Sequence, residues 1–450
     1  MDLKAVDSSS PDTAEAFKNR GVSFEKKGEY DSAIADYTQA IKLDPCDAFS
    51  LFFRGRTYIK MGNSDQARAD FTQANNIDPN LAVLLKNQSS AYYHKGNYDI
   101  ARWLCTFAIM LNPNDAAAYF LHGLANSGKG EYHHAIRDYT ATINIDPDYT
   151  QAYLNRGQAY CYKGKLDLAI TDYTLAIRSD PINTDAYIHR GLAYEVKAFI
   201  KKSKHGQAIE DFTIAINIDP NNVDAYTHRG NAYNYDGDYD RAITDFDQAI
   251  RINSNYAIAY INRGNSHYKK GDDDLAIKDF TMAISIDPND ADAYTYRGDA
   301  YSRKREYRKA IEDYTQAINI NPDDINAYKT RGRIYYKKGD YNRAIEDYTQ
   351  VIGINPDDAV AYNSRGIIYY KNGDYDQAIE DYTQAINIAP DYAEANLNLA
   401  MAHNSRGIKY TKCHDYEQAL DDFNQAISVD PNYYDARYNF ENLLIHMGIS

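Results

Sequence analysis

The stretch Ala361–Pro390, AYNSRGIIYYKNGDYDQAIEDYTQAINIAP, decides the fold of this chain. Two segments with the apolar spacing of helices lie on either side of a glycine-containing turn, and Pro390 ends the second segment. The same unit recurs along nearly the whole sequence. A unit of this size cannot bury its apolar faces alone, so its recurrence predicts an array in which each unit packs against its neighbours.

The prolines give the length of the unit. They follow one another mostly at intervals of 34 residues, and the whole set is Pro11, Pro45, Pro79, Pro113, Pro147, Pro181, Pro220, Pro288, Pro322, Pro356, Pro390 and Pro431. Ser254 stands where one proline of the series is missing. The interval before Pro220 is 39 residues and the interval before Pro431 is 41 residues, which indicates insertions of five and seven residues.

Fixed residue types recur inside the unit when its proline is numbered position 32. Alanine occupies position 20 in all twelve units, from Ala33 to Ala419, and arginine with glycine occupies positions 7 and 8, as in Arg297 and Gly298. This pattern resembles the tetratricopeptide repeat, a 34-residue helix–turn–helix, over about 14–433. The resemblance implies an all-α, right-handed superhelical solenoid whose concave groove binds proteins or peptides.

The period and its interruptions predict the organisation of the chain. We expect a poorly ordered lead at 1–13, a repeat array at 14–433 and a C-terminal capping helix at 434–450. Five inserted residues near 195–205 do not restore a helical face, so we expect a lysine-rich loop or bulge there. Seven residues near 393–399 nearly complete two turns, so we expect a longer helix.

Two features of the unit predict how its helices end. Glycine at position 15 suits the left-handed conformation that ends the first helix, as in Gly28 and Gly62. Asparagine or aspartate directly after the proline is suited to capping the next helix. The residues expected in this capping role are Asn80, Asn114, Asp148 and Asn289.

Composition and charge argue against several classes of protein. The formal net charge of −15 disfavours binding of nucleic acid through a basic field. The N-terminal sequence lacks the apolar segment of a signal peptide, and no apolar stretch is long enough to span a membrane. The four cysteines lie far apart without CxxC spacing, which indicates neither a disulfide framework nor a metal site. We therefore expect a cytoplasmic protein, although an exported mature chain that lacks its leader would look the same. We also expect no enzymatic activity, no cofactor, no nucleic-acid partner and no membrane partner.

Paired charges recur at two positions of the unit. Arginine stands at position 7 in ten units and aspartate stands at position 23 in eleven, where the exception is Leu104. The unit with Leu104 also lacks the arginine and has Gln88 instead. We expect these residues to form a structural Arg–Asp ladder, with each pair lying either within one unit or between neighbouring units.

Positions 2, 5, 9, 12 and 13 lie opposite the packing face of the first helix and are expected to line the groove. They are apolar in early units, as in Phe49, Phe52 and Leu154, and later become asparagine, tyrosine and basic residues. Asparagine side chains both donate and accept, so they suit a peptide backbone. The candidate peptide-binding residues are Asn231, Asn234, Tyr235, Asn265, Tyr268, Asp299, Arg303, Arg333, Tyr336, Lys337, Asn363 and Lys371.

The function that follows is that of a protein-interaction scaffold, which binds an extended peptide or a partner helix in its groove. The alternative is a substrate-recruiting or regulatory subunit of an enzyme complex. A helical RNA-binding array is a third class, and the acidic balance argues against it. Self-association through the C-terminal helix, with Leu443, Leu444 and Ile445 exposed, is a fourth.

Overall fold

The computed structural model describes residues 12–448, and within that range the chain forms 25 α-helices and no β-strand. This confirms the all-α prediction. The helices are α1 (Ala14–Lys27), α2 (Tyr30–Leu43), α3 (Ala48–Lys60), α4 (Ser64–Ile77), α5 (Leu81–His94), α6 (Tyr98–Leu111), α7 (Ala116–Gly128), α8 (Tyr132–Ile145), α9 (Thr150–Tyr162), α10 (Leu166–Ser179), α11 (Thr184–Lys201), α12 (Gly206–Ile218), α13 (Val223–Tyr235), α14 (Tyr239–Ile252), α15 (Ala257–Lys270), α16 (Asp273–Ile286), α17 (Ala291–Arg303), α18 (Tyr307–Ile320), α19 (Ile325–Lys337), α20 (Tyr341–Ile354), α21 (Ala359–Lys371), α22 (Tyr375–Ile388), α23 (Ala393–Lys412), α24 (Tyr416–Val429) and α25 (Tyr434–His446).

The described residues divide into two compact units, the first ending at Ala232 and the second beginning at Tyr233. Within each unit, an odd-numbered helix packs against the even-numbered helix that follows it, and this hairpin packs against the next one. The apolar core is correspondingly divided into clusters shared by neighbouring hairpins. One such cluster joins Ala310, Tyr314 and Ala317 of α18 to Ala327 and Ile334 of α19.

Small residues set the distance between the two helices of a hairpin. The alanine at position 20 is completely buried in every repeat, from Ala33 to Ala419. The glycine at position 8 lies against the aromatic ring at position 24, and a Cβ atom added to Gly298 would lie 2.8 Å from Cε1 of Tyr314. A larger side chain at either position would overpack this contact.

The ends of the helices follow from local backbone rules. The glycine at position 15 has a positive φ, as predicted, with 81° at Gly28 and 83° at Gly62. Within the described residues, the residue before a proline that ends a repeat has an extended backbone, as at Asp44 with φ −133° and ψ 91°, because proline disfavours the helical region for its predecessor.

The capping prediction was wrong by one residue. The side chain that caps α7 is that of Asp115, which accepts from the backbone N–H of Ala118, and Asp290 caps α17 in the same way. Asn114 and Asn289 instead donate their own backbone N–H to the side chain that precedes the proline, in a turn that delays the helix start by one position.

The two insertions both lengthen a helix. The seven-residue insertion extends α23 to 20 residues, as predicted. The loop predicted for the five-residue insertion was wrong, because α11 continues for 18 residues to Lys201 and the turn is confined to the four residues before α12. The inserted stretch contains no glycine or proline before Gly206, and Ala198 within it is 7% exposed, so the added residues continue the helix and keep one packed position.

The predicted C-terminal helix is present as α25. Leu443 is buried against Ala419 and Phe423, which corrects the expectation that it is exposed. Ile445 is exposed over 73% of its surface, as expected. The lead predicted at 1–13 lies almost wholly outside the described residues, which begin at Asp12.

Candidate functional site

The Arg–Asp ladder is confirmed, and its pairs lie within single repeats. Nε of Arg297 donates to Oδ2 of Asp313 at 2.9 Å, and Nη2 donates to Oδ1 at 2.7 Å. The third nitrogen, Nη1, donates to Oγ1 of Thr281 in the preceding repeat at 3.1 Å. Each arginine after Arg20 therefore ties the two helices of its own hairpin together and also binds the hairpin before it, so the ladder is structural.

The threonine at position 25 is a member of this ladder that sequence reasoning missed. Its recurrence at a fixed position was the available signal. The threonines that accept from an arginine of the next repeat are Thr38, Thr140, Thr174, Thr213, Thr281, Thr315 and Thr349. Asp247 takes the same place for Arg263.

The ladder has different contacts in the two repeats that lack the arginine at position 7. Ser89 and Cys105, 2.9 Å apart, are the buried polar contact in the repeat that has Leu104. In the next repeat His122 replaces the arginine, and its Nδ1 lies 2.8 Å from Oδ2 of Asp138 while its Nε2 lies 3.3 Å from Oγ1 of Thr106. Histidine thus makes the same two connections as arginine does elsewhere.

An open cleft lies in the second unit at the level of α13, α15 and α17, and we call it the Asn–Tyr cleft. It encloses about 400 Å³ and is lined by five of the predicted site residues, including Asp299. Its lining residues are Asn234, Tyr235, Tyr239, Asn265, Tyr268, Lys269, Tyr296 and Asp299. Tyr239, Lys269 and Tyr296 were not among the predicted residues, although Lys269 occupies position 13, which was expected to line the groove.

The two asparagines of this cleft differ in how they are held. Oδ1 of Asn234 accepts from the Ser266 hydroxyl at 2.9 Å, which fixes the orientation of its amide. Asn265, half-buried one repeat later, makes no side-chain hydrogen bond within residues 12–448, so its amide keeps both a donor and an acceptor for a ligand.

A second cleft continues from the first and shares Tyr268 and Asp299 with it. We call it the basic cleft. It encloses about 470 Å³ between α15, α17 and α19. Its lining residues are Tyr268, Asp299, Ser302, Arg303, Arg305, Tyr307, Arg333 and Lys337. Predicted residues from four successive odd-numbered helices, α13 to α19, therefore line one connected surface.

Charge in the basic cleft is uneven. Arg303 is held by Asp273, with Nε donating to Oδ1 at 2.6 Å, and it lies 3.7 Å from the centre of the Tyr268 ring. In the described part of the chain Arg305, Arg333 and Lys337 form no ion pair, and all three are exposed. These cations remain available to an anionic group of a ligand.

Asp299 is the single carboxylate that both clefts share. It accepts a hydrogen bond from the Tyr314 hydroxyl at 2.7 Å. Burial raises the pKa of Asp299, although the bond from Tyr314 and the charge of Arg333 act in the opposite direction. Burial likewise raises the pKa of the Tyr268 phenol, so this ring stays a neutral donor.

Four predicted residues do not line these clefts. Asn363 is buried, donates to the Tyr392 hydroxyl at 3.2 Å and accepts from Asn398 at 3.0 Å, so its amide is occupied by the protein itself. Tyr336 packs near Tyr341, with ring centres 5.9 Å apart. Asn231 is half-buried in the first unit, and Lys371 is exposed at the end of α21.

Position 5, where Asn363 lies, was wrongly assigned to the open groove. Its side chain points toward the start of the next repeat, and Lys86 at the same position binds Asp115 at 2.7 Å. The early apolar groove is wrong for the same reason, since Phe52 is 3% exposed and packs against Phe71 and Phe107. Phe52 and Leu154 belong to the core, whereas Phe49, at position 2, is 37% exposed.

Comparison with known protein families agrees with this architecture. Profiles described as TPR repeat match residues 157–195, 197–234, 230–271 and 332–373. Profiles described as tetratricopeptide repeat match 14–45, 50–81, 116–149, 257–290, 291–324, 313–346, 359–392 and 400–433. The chain belongs to the tetratricopeptide repeat family. Its repeats form a scaffold of the kind that serves protein–protein interaction.

Several solved structures are similar to this chain in fold. Yeast Tom70 has a TM-score of 0.44 and 17% identity over 88% of this chain and 96% of its own. The C-terminal part of a repeat protein from Cytophaga hutchinsonii has a TM-score of 0.46 and 23% identity over 55% and 98%. MamA has a TM-score of 0.35 and 27% identity over 37% and 96%.

None of the curated protein sequences compared with the chain matches it. Among residues 12–448, no group of three or more histidine, cysteine, aspartate or glutamate side chains is arranged to hold a metal ion. No helix in that range combines the length and the apolar character that a membrane span requires.

Proposed function

We propose that this tetratricopeptide protein binds an extended acidic segment of a partner protein in the connected Asn–Tyr and basic clefts. The observation that supports this most directly is the group of exposed cations Arg305, Arg333 and Lys337 in the basic cleft, beside an Asn–Tyr cleft that is lined mainly by asparagine and tyrosine. In a chain with a net charge of −15, such a group favours carboxylate-rich ligands over others.

The remaining features give the ligand its orientation. The free amide of Asn265 suits the N–H and C=O of an extended backbone, and the rings of Tyr268 and Tyr296 suit apolar side chains beside it. The half-buried carboxylate of Asp299 repels an acidic residue that lies against it, so acidic residues are directed toward Arg333 and Lys337. In this proposal the chain binds its partner and does not catalyse a reaction.

Selection of a random peptide library on the full chain tests the proposal. We expect selected peptides to have aspartate or glutamate at one end and to bind with an affinity that falls as salt increases. Arg333→Glu with Lys337→Glu removes at least one charge-assisted hydrogen bond, so binding should weaken about tenfold or more.

Two further variants define the outcome. Asn265→Ala should weaken binding of the same peptides several-fold through loss of a backbone contact. Lys26→Glu with Lys27→Glu, an equal charge reversal at the exposed end of α1, should leave binding unchanged. Peptides without acidic enrichment, or binding that survives the reversal at Arg333 and Lys337, would refute the proposed site.

A further inference from the structure

Helix α11 is longer than the other odd-numbered helices of the first unit. It has 18 residues, whereas α9 has 13, and its last turns extend beyond the positions that pack in other repeats. We call Glu195–Lys204 the helix tip. Val196, Phe199 and Ile200 are exposed over 48%, 69% and 67% of their surfaces, respectively. Spacings of three and four residues place these three apolar side chains on one face of the helix.

Lysines surround this apolar face. Four lysines lie in the helix tip, namely Lys197, Lys201, Lys202 and Lys204. Two more, Lys163 and Lys165, lie in the turn of the preceding repeat. Residues of that turn and of the helix tip together line a groove of about 390 Å³. The neighbouring exposed carboxylate is Asp167, which binds Lys197 at 2.6 Å. Burial raises the pKa of Glu195, the other carboxyl of the region. The group is therefore strongly basic in an acidic protein.

We propose that the helix tip docks the protein on an anionic lipid surface. Protein surfaces that carry exposed phenylalanine and isoleucine beside several lysines insert their apolar side chains at the boundary between lipid headgroups and acyl chains. The lysine stems lie along apolar surface while their ammonium groups contact acidic headgroups.

Charge and placement favour a membrane surface over a peptide at this location. Ile200 lines the groove, but Val196 and Phe199 are exposed without lining it, so the apolar face extends past any segment bound there. The sequence-based expectation of no membrane partner concerned segments that span the bilayer. The helix tip makes a surface contact only, so the two are compatible, and this site is separate from the peptide cleft in the second unit.

Sedimentation of the full chain with lipid vesicles tests the proposal. Vesicles of phosphatidylcholine with about 30% phosphatidylserine should bind the protein, and vesicles of phosphatidylcholine alone should not. Lys201→Gln with Lys204→Gln should lower the partition coefficient about 25-fold, since each lysine near the surface contributes a factor of about five. Phe199→Ser with Ile200→Ser should lower it about tenfold.

Matched variants separate the helix tip from general charge and apolarity. Ile182→Ser removes an apolar side chain that is 75% exposed at the opposite end of α11, and Lys26→Gln with Lys27→Gln removes two exposed lysines of α1. Both should bind vesicles like the unaltered protein. Equal binding to neutral vesicles, no binding to anionic vesicles, or an equal loss in these controls would overturn the proposal.

Discussion

Replacement of Asp313 by asparagine tests whether the Arg–Asp ladder stabilises the array. Asp313 is 5% exposed and accepts both bonds from Arg297, whose side chain is 17% exposed. Asp313→Asn keeps the shape of the side chain and one oxygen acceptor. It removes the negative charge and one of the two bonds, so Arg297 remains largely buried without a compensating charge.

The expected cost follows from this geometry. Removal of one partner from a buried ion pair costs about 3–5 kcal/mol. Arg297 retains its bond to Thr281 and its ring contact with Tyr294, and it is partly exposed, so we expect a smaller loss of about 2–3 kcal/mol. Glu312→Gln is the matched control, because this neighbouring carboxylate is 65% exposed and should contribute less than about 0.5 kcal/mol.

Urea unfolding followed by circular dichroism gives the first measurement, and hydrogen exchange gives the location. Because repeat arrays unfold in parts, we expect Asp313→Asn to lower the unfolding midpoint and to increase exchange mainly in α17 and α18. Arg297→Met combined with Asp313→Leu should regain most of the stability, since no buried charge is left unpaired. A midpoint for Asp313→Asn equal to that of Glu312→Gln would refute the structural role of the ladder.

Three further predictions use other features of the array. In thermal melts, Gly298→Ala should lower the stability of the fold by about 1–3 kcal/mol, because the added Cβ would lie 2.8 Å from a ring carbon of Tyr314. A Cβ added at Gly353 would meet no atom within 4 Å, so Gly353→Ala should raise the stability by about 0.5–1 kcal/mol. Burial raises the pKa of Glu195 to about 7, above its ordinary value of about 4.3, so its contribution to stability is complete at acid pH and is lost as pH rises through 7. Urea midpoints should therefore fall between about pH 5 and about pH 8 by the equivalent of about 2 kcal/mol, and Glu195→Gln should abolish this fall. Leu443 is 3% exposed, so Leu443→Ala should lower the free energy of unfolding by about 2–5 kcal/mol. Ile445 is 73% exposed, so Ile445→Ala should leave the urea midpoint unchanged. If α25 mediates self-association, Ile445→Ala should also lower the mass measured by light scattering.

The site was only partly predictable from the helical wheel. Asn265 and Arg333, at position 9 of their repeats, line the clefts, whereas Asn231 at the same position of another repeat does not. Position 5 was assigned wrongly to the groove, because Asn363 is covered by Tyr392 and Asn398, which lie 29 and 35 residues further along the chain. A wheel describes one helix and contains no information about which neighbour covers each face.

The sequence by itself determined the repeat period, the all-α hairpins and the pairing of arginine with aspartate. These depend on local backbone preferences and on small residues that recur at fixed positions, such as Ala310 and Gly298. Tertiary structure decided that each arginine also binds a threonine of the preceding repeat, that α11 continues as a helix, and which polar residues stay open to a ligand. Those outcomes depend on how neighbouring hairpins pack, and packing across 16 to 35 residues of chain is set by contacts that no single repeat contains.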